Sequence, residues 1–238
     1  MFFYMNRQIG IAIPTFNRAD LTIESFAQVH DDKRIKSILI NDDASELAQY
    51  ERLQRNIEPF EKVKLCRNLF NIDCSANKMR SIWLSECEWN ILLDSDNVID
   101  ESYLDRIFEY DWHPNIILTP DFAAPNFNFR AYSGLLLSKE NIAEYIDKPM
   151  LETCLNANNF FVNRDKYLEV YGDDKTDPVT SDSIYFCYKW LAAGYKIQIV
   201  PGLKYFHRVH PGSHYQTQNK RTAPGFHESV LNKLRQLT

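Results

Sequence analysis

The chemistry in this 238-residue chain gathers where two apolar runs stop on aspartate. Ile91-Leu92-Leu93 is followed at once by Asp94-Ser95-Asp96, and Ile38-Leu39-Ile40 by Asn41-Asp42-Asp43. Strand alternation aims Asp94 and Asp96 to the same side of an exposed turn. Carboxylates brought together raise one another's pKa unless a cation offsets them, and oxygen donors suit magnesium or manganese. A lone D-x-D also caps helices and closes turns, but a second aspartate pair ending another strand favours the metal. Asp182, with Ser181, opens a helical stretch. At a first turn the helix dipole favours the ionised carboxylate, and from the residues alone a plain helix cap is the favoured reading. His207, His210 and His214 have spacings that suit one helix face, yet Pro211-Gly212 interrupts any helix there, so no zinc cluster is expected.

These residues need a scaffold, and the apolar patterning supplies one. Strands are expected over 9–13, 35–40, 63–66, 89–93 and 116–119, with helices between them, including 45–57 capped by Ser45 and 75–84. Such alternation reads as an α/β protein with a mostly parallel sheet flanked by helices on both faces. The second half is less regular. Its candidates are strands over 134–137, 159–162 and 196–200, a helix over 181–193 stopped by Gly194, a loop over 211–225 and a final helix over 228–236. No internal repeat or linker divides the chain, so residues 1–238 read as one domain. In a parallel sheet, ligands bind beyond the carboxyl ends of the strands. Pro14 to Arg18, Asn41 to Ser45, Asn68 and Asp94 to Asn97 therefore face one crevice.

Composition excludes several classes. Seven glycines, about 3% of the chain against about 7% usually, never stand closer than eight residues apart. Neither a dinucleotide fingerprint nor a phosphate-binding loop fits that spacing, so bound phosphates would not rest in a glycine-rich cradle. A net charge of −5 gives no reason to expect nucleic acid. Five cysteines without a C-x-x-C read as free thiols of a reducing, cytoplasmic compartment. The apolar start, Met1 to Met5, is too short for a signal-peptide core, and no apolar run is long enough to span a membrane. Among the aromatic residues of the irregular middle, Phe122, Phe127, Phe129, Tyr132, Phe160 and Phe161 read mostly as core, with some available to stack on a ligand. Asn158 and Asn159 are candidates to donate to a ligand's hydroxyls, or are buried turn amides.

Three segments together resemble a known family. Ile11-Ala12-Ile13-Pro14-Thr15-Phe16-Asn17-Arg18, Ile40-Asn41-Asp42-Asp43-Ala44-Ser45 and Leu92-Leu93-Asp94-Ser95-Asp96-Asn97 look like the opening motifs of family 2 glycosyltransferases with the GT-A fold, in order and at the family's spacing. The resemblance covers about the first hundred residues. It implies a nucleotide-sugar-binding half over 1–120 and an acceptor-binding half over 121–238. Donor contacts are implied for Pro14, Thr15, Asn17, Arg18, Asp42, Asp43, Asp94 and Ser95, with Asp43 on the base or ribose. Asp94 and Asp96 would hold manganese or magnesium, and His207, just after a strand, would complete that site. Ser75-Ala76-Asn77-Lys78 resembles a donor-contacting run more loosely, with Met79 where relatives carry glycine. Ser181-Asp182 resembles the segment whose aspartate is the base of inverting enzymes, with Ser181 in place of a glutamate on the acceptor side.

The expectation is a metal-dependent, inverting glycosyltransferase that takes a nucleotide sugar, uridine favoured, to a saccharide or other hydroxyl acceptor in polysaccharide or glycoconjugate synthesis. Arg208, Ser213 and the loop through Arg221 are expected to close over the diphosphate. A binding module that has lost catalysis is the alternative. An aspartate phosphohydrolase is disfavoured because Asn97-Val98 follows the D-x-D, and about ninety residues precede it.

Overall fold

The computed structural model describes residues 7–157, 159–174, 176, 178–210, 213 and 225–238. The strands are β1 (Ile9–Thr15), β2 (Ile35–Asp42), β3 (Val63–Arg67), β4 (Trp89–Leu92), β5 (Ile116–Ala124), β6 (Phe127–Asn128), β7 (Leu136–Leu137), β8 (Phe161–Asn163) and β9 (Lys196–Phe206). They form one sheet in the order β3-β2-β1-β4-β8-β5-β9-β7, with β6 on β5. Pairings among β1, β2, β3 and β4 and between β5 and β9 are parallel, whereas β8 runs antiparallel to both β4 and β5. The expected mostly parallel α/β architecture is therefore present. β1 is buried along its whole length, and Ile9, Ile11, Ile13, Ile38, Ile40 and Ile91 are fully inaccessible. Continuous apolar runs of this kind mark strands covered on both faces.

The helices are α1 (Ala19–Phe26), α2 (Leu47–Ile57), α3 (Cys74–Leu84), α4 (Glu101–Phe108), α5 (Ile142–Tyr145), α6 (Leu151–Asn156), α7 (Arg164–Tyr171), α8 (Asp182–Ala192) and α9 (Phe226–Arg235). The three helices α5, α6 and α7 occupy ground that the patterning left without helices. At four and six residues, α5 and α6 are too short to display a helical period, and α7 buries only Tyr167 and Val170. Among the described residues no helix is long and apolar enough to cross a membrane.

Two strands run past the ends expected at residues 13 and 200, each through a proline. β1 continues through Pro14 to Thr15, paired with Asn41 and Asp42 of β2. Its pairing with β4 stops at Ala12, so the N–H that proline lacks falls beyond that ladder. β9 continues through Pro201-Gly202 to Phe206 because the ladder to β5 shifts register after Pro120. Asp121 fastens this bulge: its Oδ2 accepts from Gly202 N at 2.9 Å and from Ser133 Oγ at 2.8 Å. Gly202 takes a φ of 73°, which a side chain would strain. The extension matters to function, since it delivers His207 and Arg208 beside the Asp94–Asp96 turn. Phe206 and Val98 exchange backbone hydrogen bonds of 2.8 and 3.0 Å to fix that approach.

Candidate active site

The loops that follow β1 and β2 are laced together by polar side chains. Asn17, at a φ of 54°, donates its backbone N–H to Ser45 Oγ at 2.8 Å, while its Oδ1 accepts from Glu46 N at 2.8 Å. Ser45 thus serves the β1 loop and leaves α2 without a side-chain cap. Asp43 N donates to Thr15 O at 2.8 Å. The Asp43 carboxylate accepts from Asn68 Nδ2 at 2.7 Å and Ile72 N at 2.9 Å, and burial raises its pKa above the ordinary carboxylate value despite those bonds. Behind it Asn41, Asn68 and Asn77 form a buried amide cluster, closed by the 2.6 Å bond from Asn41 Nδ2 to Asn77 Oδ1. This cluster locks the first turn of α3 to the ends of β2 and β3.

The acidic turn is held from below and above. Asn159 Oδ1 accepts from Asp94 N at 2.8 Å, and Tyr103 Oη donates to Asn159 O at 2.6 Å. Asn159 is fully buried, so it is the turn's support, not a sugar contact. Asp96 Oδ2 lies 2.5 Å from Arg18 Nη1 and 3.1 Å from His210 Nε2. Arg208 donates to the Asp96 carbonyl and pairs with Glu24, and its N–H reaches Asn97 Oδ1 at 3.3 Å. His207 is placed differently from His210. Its Nδ1 lies 2.9 Å from Asn126 Nδ2, which also donates to His207 O at 2.9 Å, so Nδ1 accepts and a neutral ring carries its proton on Nε2. Burial lowers the His207 pKa below 6.5, and the Asp96 and Asp94 charges offset this only in part. The imidazole against the acidic turn is therefore His210, whereas His207 offers a donor.

Asp182 begins α8, just after a 3₁₀ turn over Val179–Ser181, and faces a lysine from α3. Lys78 Nζ lies 2.6 Å from Asp182 Oδ2 and 3.4 Å from Asp94 Oδ1. Burial alone would push the ammonium's pKa down, but the Asp182 and Asp94 carboxylates outweigh it and hold the group well above its ordinary value. Cys74 Sγ is 4.0 Å from the same Asp182 oxygen, and its thiol is pushed far up by burial. All five cysteines are free thiols.

One cavity of about 1460 Å³ is lined by Pro14, Thr15, Asn17, Arg18, Asp43, Asn77, Lys78, Asp94, Ser95, Asp96, Ser181, Asp182 and His207. Asp42 is turned out of it. Successive strand residues point to opposite faces, so Asp42 accepts from Ser45 N at 3.1 Å and stands 3.5 Å from Arg67 instead. Asn158 lies outside the described residues, as does most of the 211–225 loop. Of the aromatic residues singled out, Phe127 lines the cavity, while Phe129, Phe160 and Phe161 are core. The patterning set Asn68 at the crevice and named His210 without giving it a role, and it missed Asn71, Glu152 and His227. The last two approach from α6 and α9, 75 residues apart, with no local motif to announce them. Among the described residues no three His, Cys, Asp or Glu side chains are grouped so as to hold a metal ion as they stand.

Fold and site together define an α/β enzyme scaffold whose cavity opens at the carboxyl ends of parallel strands, with an acidic turn facing a helix-borne carboxylate. The chain belongs to glycosyl transferase family 2, whose sequence profile matches residues 10–172. It is thus a glycosyltransferase. No curated protein matches the chain. Among solved structures, the mannosyltransferase PcManGT from Pyrobaculum calidifontis, in complex with GDP-Man and Mn2+, is similar at 13% identity with a TM-score of 0.65. That similarity covers 98% of this chain and 71% of the other. S. aureus TarS 1-349 in complex with UDP-GlcNAc gives a TM-score of 0.71 at 13% identity, covering 95% of this chain and 65% of the other. At such identity these likenesses establish the GT-A fold.

Proposed function

We propose that this chain transfers a sugar from a nucleotide-sugar donor, a UDP-sugar favoured, to a hydroxyl of a saccharide or other acceptor, with a divalent metal and inversion at the anomeric carbon. The observation that carries the reading is the placement of Asp182 and the Asp94–Asp96 turn on one cavity with the Lys78 ammonium between them. PcManGT with GDP-Man and Mn2+ and TarS with UDP-GlcNAc lend support by analogy of fold.

Each residue then has a task. Thr15 and Asp43 line the end of the cavity suited to a nucleoside, with Asp43 accepting from the base or ribose. Two carboxylates and the His210 imidazole are donors of the kind manganese or magnesium takes, so the residues present fit such an ion in chemistry. Asp94 and Asp96 would hold it, with His210 beside them, and Arg18 and Lys78 balance their charge otherwise. When bound, the ion supplies positive charge against the leaving diphosphate, a contribution of several kcal/mol by general precedent. The acceptor oxygen forms its bond to the anomeric carbon as the bond to the diphosphate breaks; the bonding pair leaves on the diphosphate and the acceptor proton passes to Asp182. A base on the face opposite the leaving group inverts the centre.

Calorimetry with UDP and GDP, with and without manganese, followed by NMR of the product's anomeric configuration, tests this reading. Manganese-dependent binding and an inverted product are expected. Absence of nucleotide binding, or a retained configuration, overturns the corresponding part.

A further inference from the structure

Beyond Asp182 the cavity wall is made by Glu152, Thr153 and Asn156 of α6, Thr180 and Ser181 of the 3₁₀ turn, and His227 of α9. An imidazole ties three of these together. His227 Nδ1 lies 2.9 Å from Ser181 Oγ, and its Nε2 lies 2.6 Å from Glu152 Oε1. Ser181 is buried, whereas the Glu152 and His227 side chains remain 46% and 33% exposed, so the pair stands over Ser181 at the cavity surface. With Nε2–H donating to the carboxylate, Nδ1 accepts the Ser181 hydroxyl, which fixes the ring from behind.

Charge divides the cavity. Among the described residues its lysine and arginine side chains, Arg18, Lys78 and Arg208, are all engaged at the acidic turn or at Asp182. Among the described residues lining the wall around Glu152 there is no lysine or arginine. A phosphate or carboxylate brought there would meet the Glu152 carboxylate with no lysine or arginine of the described wall to offset it, since Lys78 is already spent on Asp182 and Asp94, and desolvated like charges repel strongly. A neutral hydroxyl donates to a carboxylate and also accepts from an N–H or O–H, which matches this wall.

We propose that Glu152 and His227 form the acceptor subsite, and that they grip neutral hydroxyls of a sugar or polyol, not a phosphorylated or acidic one. The proposal rests on the glycosyltransferase reading above and names its acceptor class. Glu152 receives a hydroxyl proton in a hydrogen bond, His227 fixes the carboxylate's orientation, and the neighbouring hydroxyl is left beside Asp182.

The test titrates methyl glycosides of neutral hexoses, hexose phosphates and uronic acids into the full chain by saturation-transfer NMR, with UDP titrated separately by calorimetry. Neutral glycosides are expected to bind the wild type more tightly than their anionic counterparts. Binding should weaken about tenfold or more in E152A and H227A, the worth of about one lost hydrogen bond to a charged group, while UDP affinity holds. H227Q, which keeps a donor toward Glu152, should recover part of the loss at unchanged melting temperature, and E152Q should narrow the discrimination against anions. The proposal is overturned if anionic sugars bind more tightly than neutral ones, if both alanine variants bind neutral glycosides like the wild type, or if no neutral glycoside binds. Loss of UDP binding in the wild type strikes the nucleotide-sugar reading instead, and the glycoside arm still reports on the wall.

Discussion

The Lys78 ammonium stands 2.6 Å from the Asp182 carboxylate, and both side chains are more than nine-tenths buried. Lys78 also reaches Asp94 at 3.4 Å, so one cation from α3 joins the start of α8 to the acidic turn after β4. Charges so placed are costly to bury singly, and removing one partner leaves the others uncompensated.

Lys78→Met is therefore expected to lower stability by about 3–5 kcal/mol, read from urea denaturation. The folded pKa of Lys78 lies above its ordinary value, so its contribution is present below about pH 10.5 and is lost only as pH rises through the folded value. The deficit of the variant should accordingly stay level between about pH 6 and about pH 9. A midpoint equal to the wild type's would show that the pair adds nothing.

Asp182→Asn and Asp96→Asn should separate chemistry from binding. The first is expected to cost about 10²–10⁴-fold in transfer rate with nucleotide affinity kept, since a base acts only on the acceptor proton. The second should weaken manganese-dependent nucleotide binding itself. Equal manganese-dependent affinity in wild type and Asp96→Asn, measured by calorimetry, would refute the metal assignment.

Asn159→Ala removes the acceptor for Asp94 N and places alanine at a φ of 62°. An unsatisfied buried N–H costs about 1–3 kcal/mol, with backbone strain added. A lower melting temperature and looser manganese-dependent nucleotide binding are both expected. Loss of stability with full metal-dependent affinity would remove Asn159 from the support of the turn.

His207 supplies a pH dependence with a defined sign. Burial holds its folded pKa below 6.5, so the unfolded chain takes up the proton first. Stability should fall as pH drops from about 6.5 through the folded value and level off beneath it. His207→Gln should flatten that limb. Parallel curves for both proteins between about pH 7.5 and about pH 5 would contradict the shift.

Gly10→Ala addresses the core of β1. A Cβ at that position would stand 2.4 Å from Asn90 Oδ1 and 3.0 Å from Cys87 Cβ and Ser85 Oγ. Overpacking of this kind costs about 1–3 kcal/mol, visible as a reduced denaturation midpoint. A wild-type midpoint would mean that Asn90 swings aside without loss.

The parallel half of the fold and the acidic residues of the site were legible in the chain because both depend on neighbours close in sequence. Buried parallel strands are unbroken apolar runs, and the residue after such a run must stand at the sheet's carboxyl edge. Asp43, Asp94 and Asp96 could therefore be placed from Ile38-Leu39-Ile40 and Ile91-Leu92-Leu93 alone, and Asp182 from the helix it opens. Tertiary structure decided the rest, because pairing across distant segments leaves no local period. It took β9 through Pro201-Gly202, since Asp121, 81 residues before Gly202, caps the bulge. It turned Asp42 away and Asp43 inward, a choice set by the phase of β2 against its neighbours. His210 was set on Asp96 and His207 on Asn126, although sequence ranked them the other way. Glu152 was brought to His227 by helices too short or too distant to be read together. Spacing along the chain dictates which residues can reach the carboxyl edge; the packing of α3, α6, α8 and α9 dictates which of them meet.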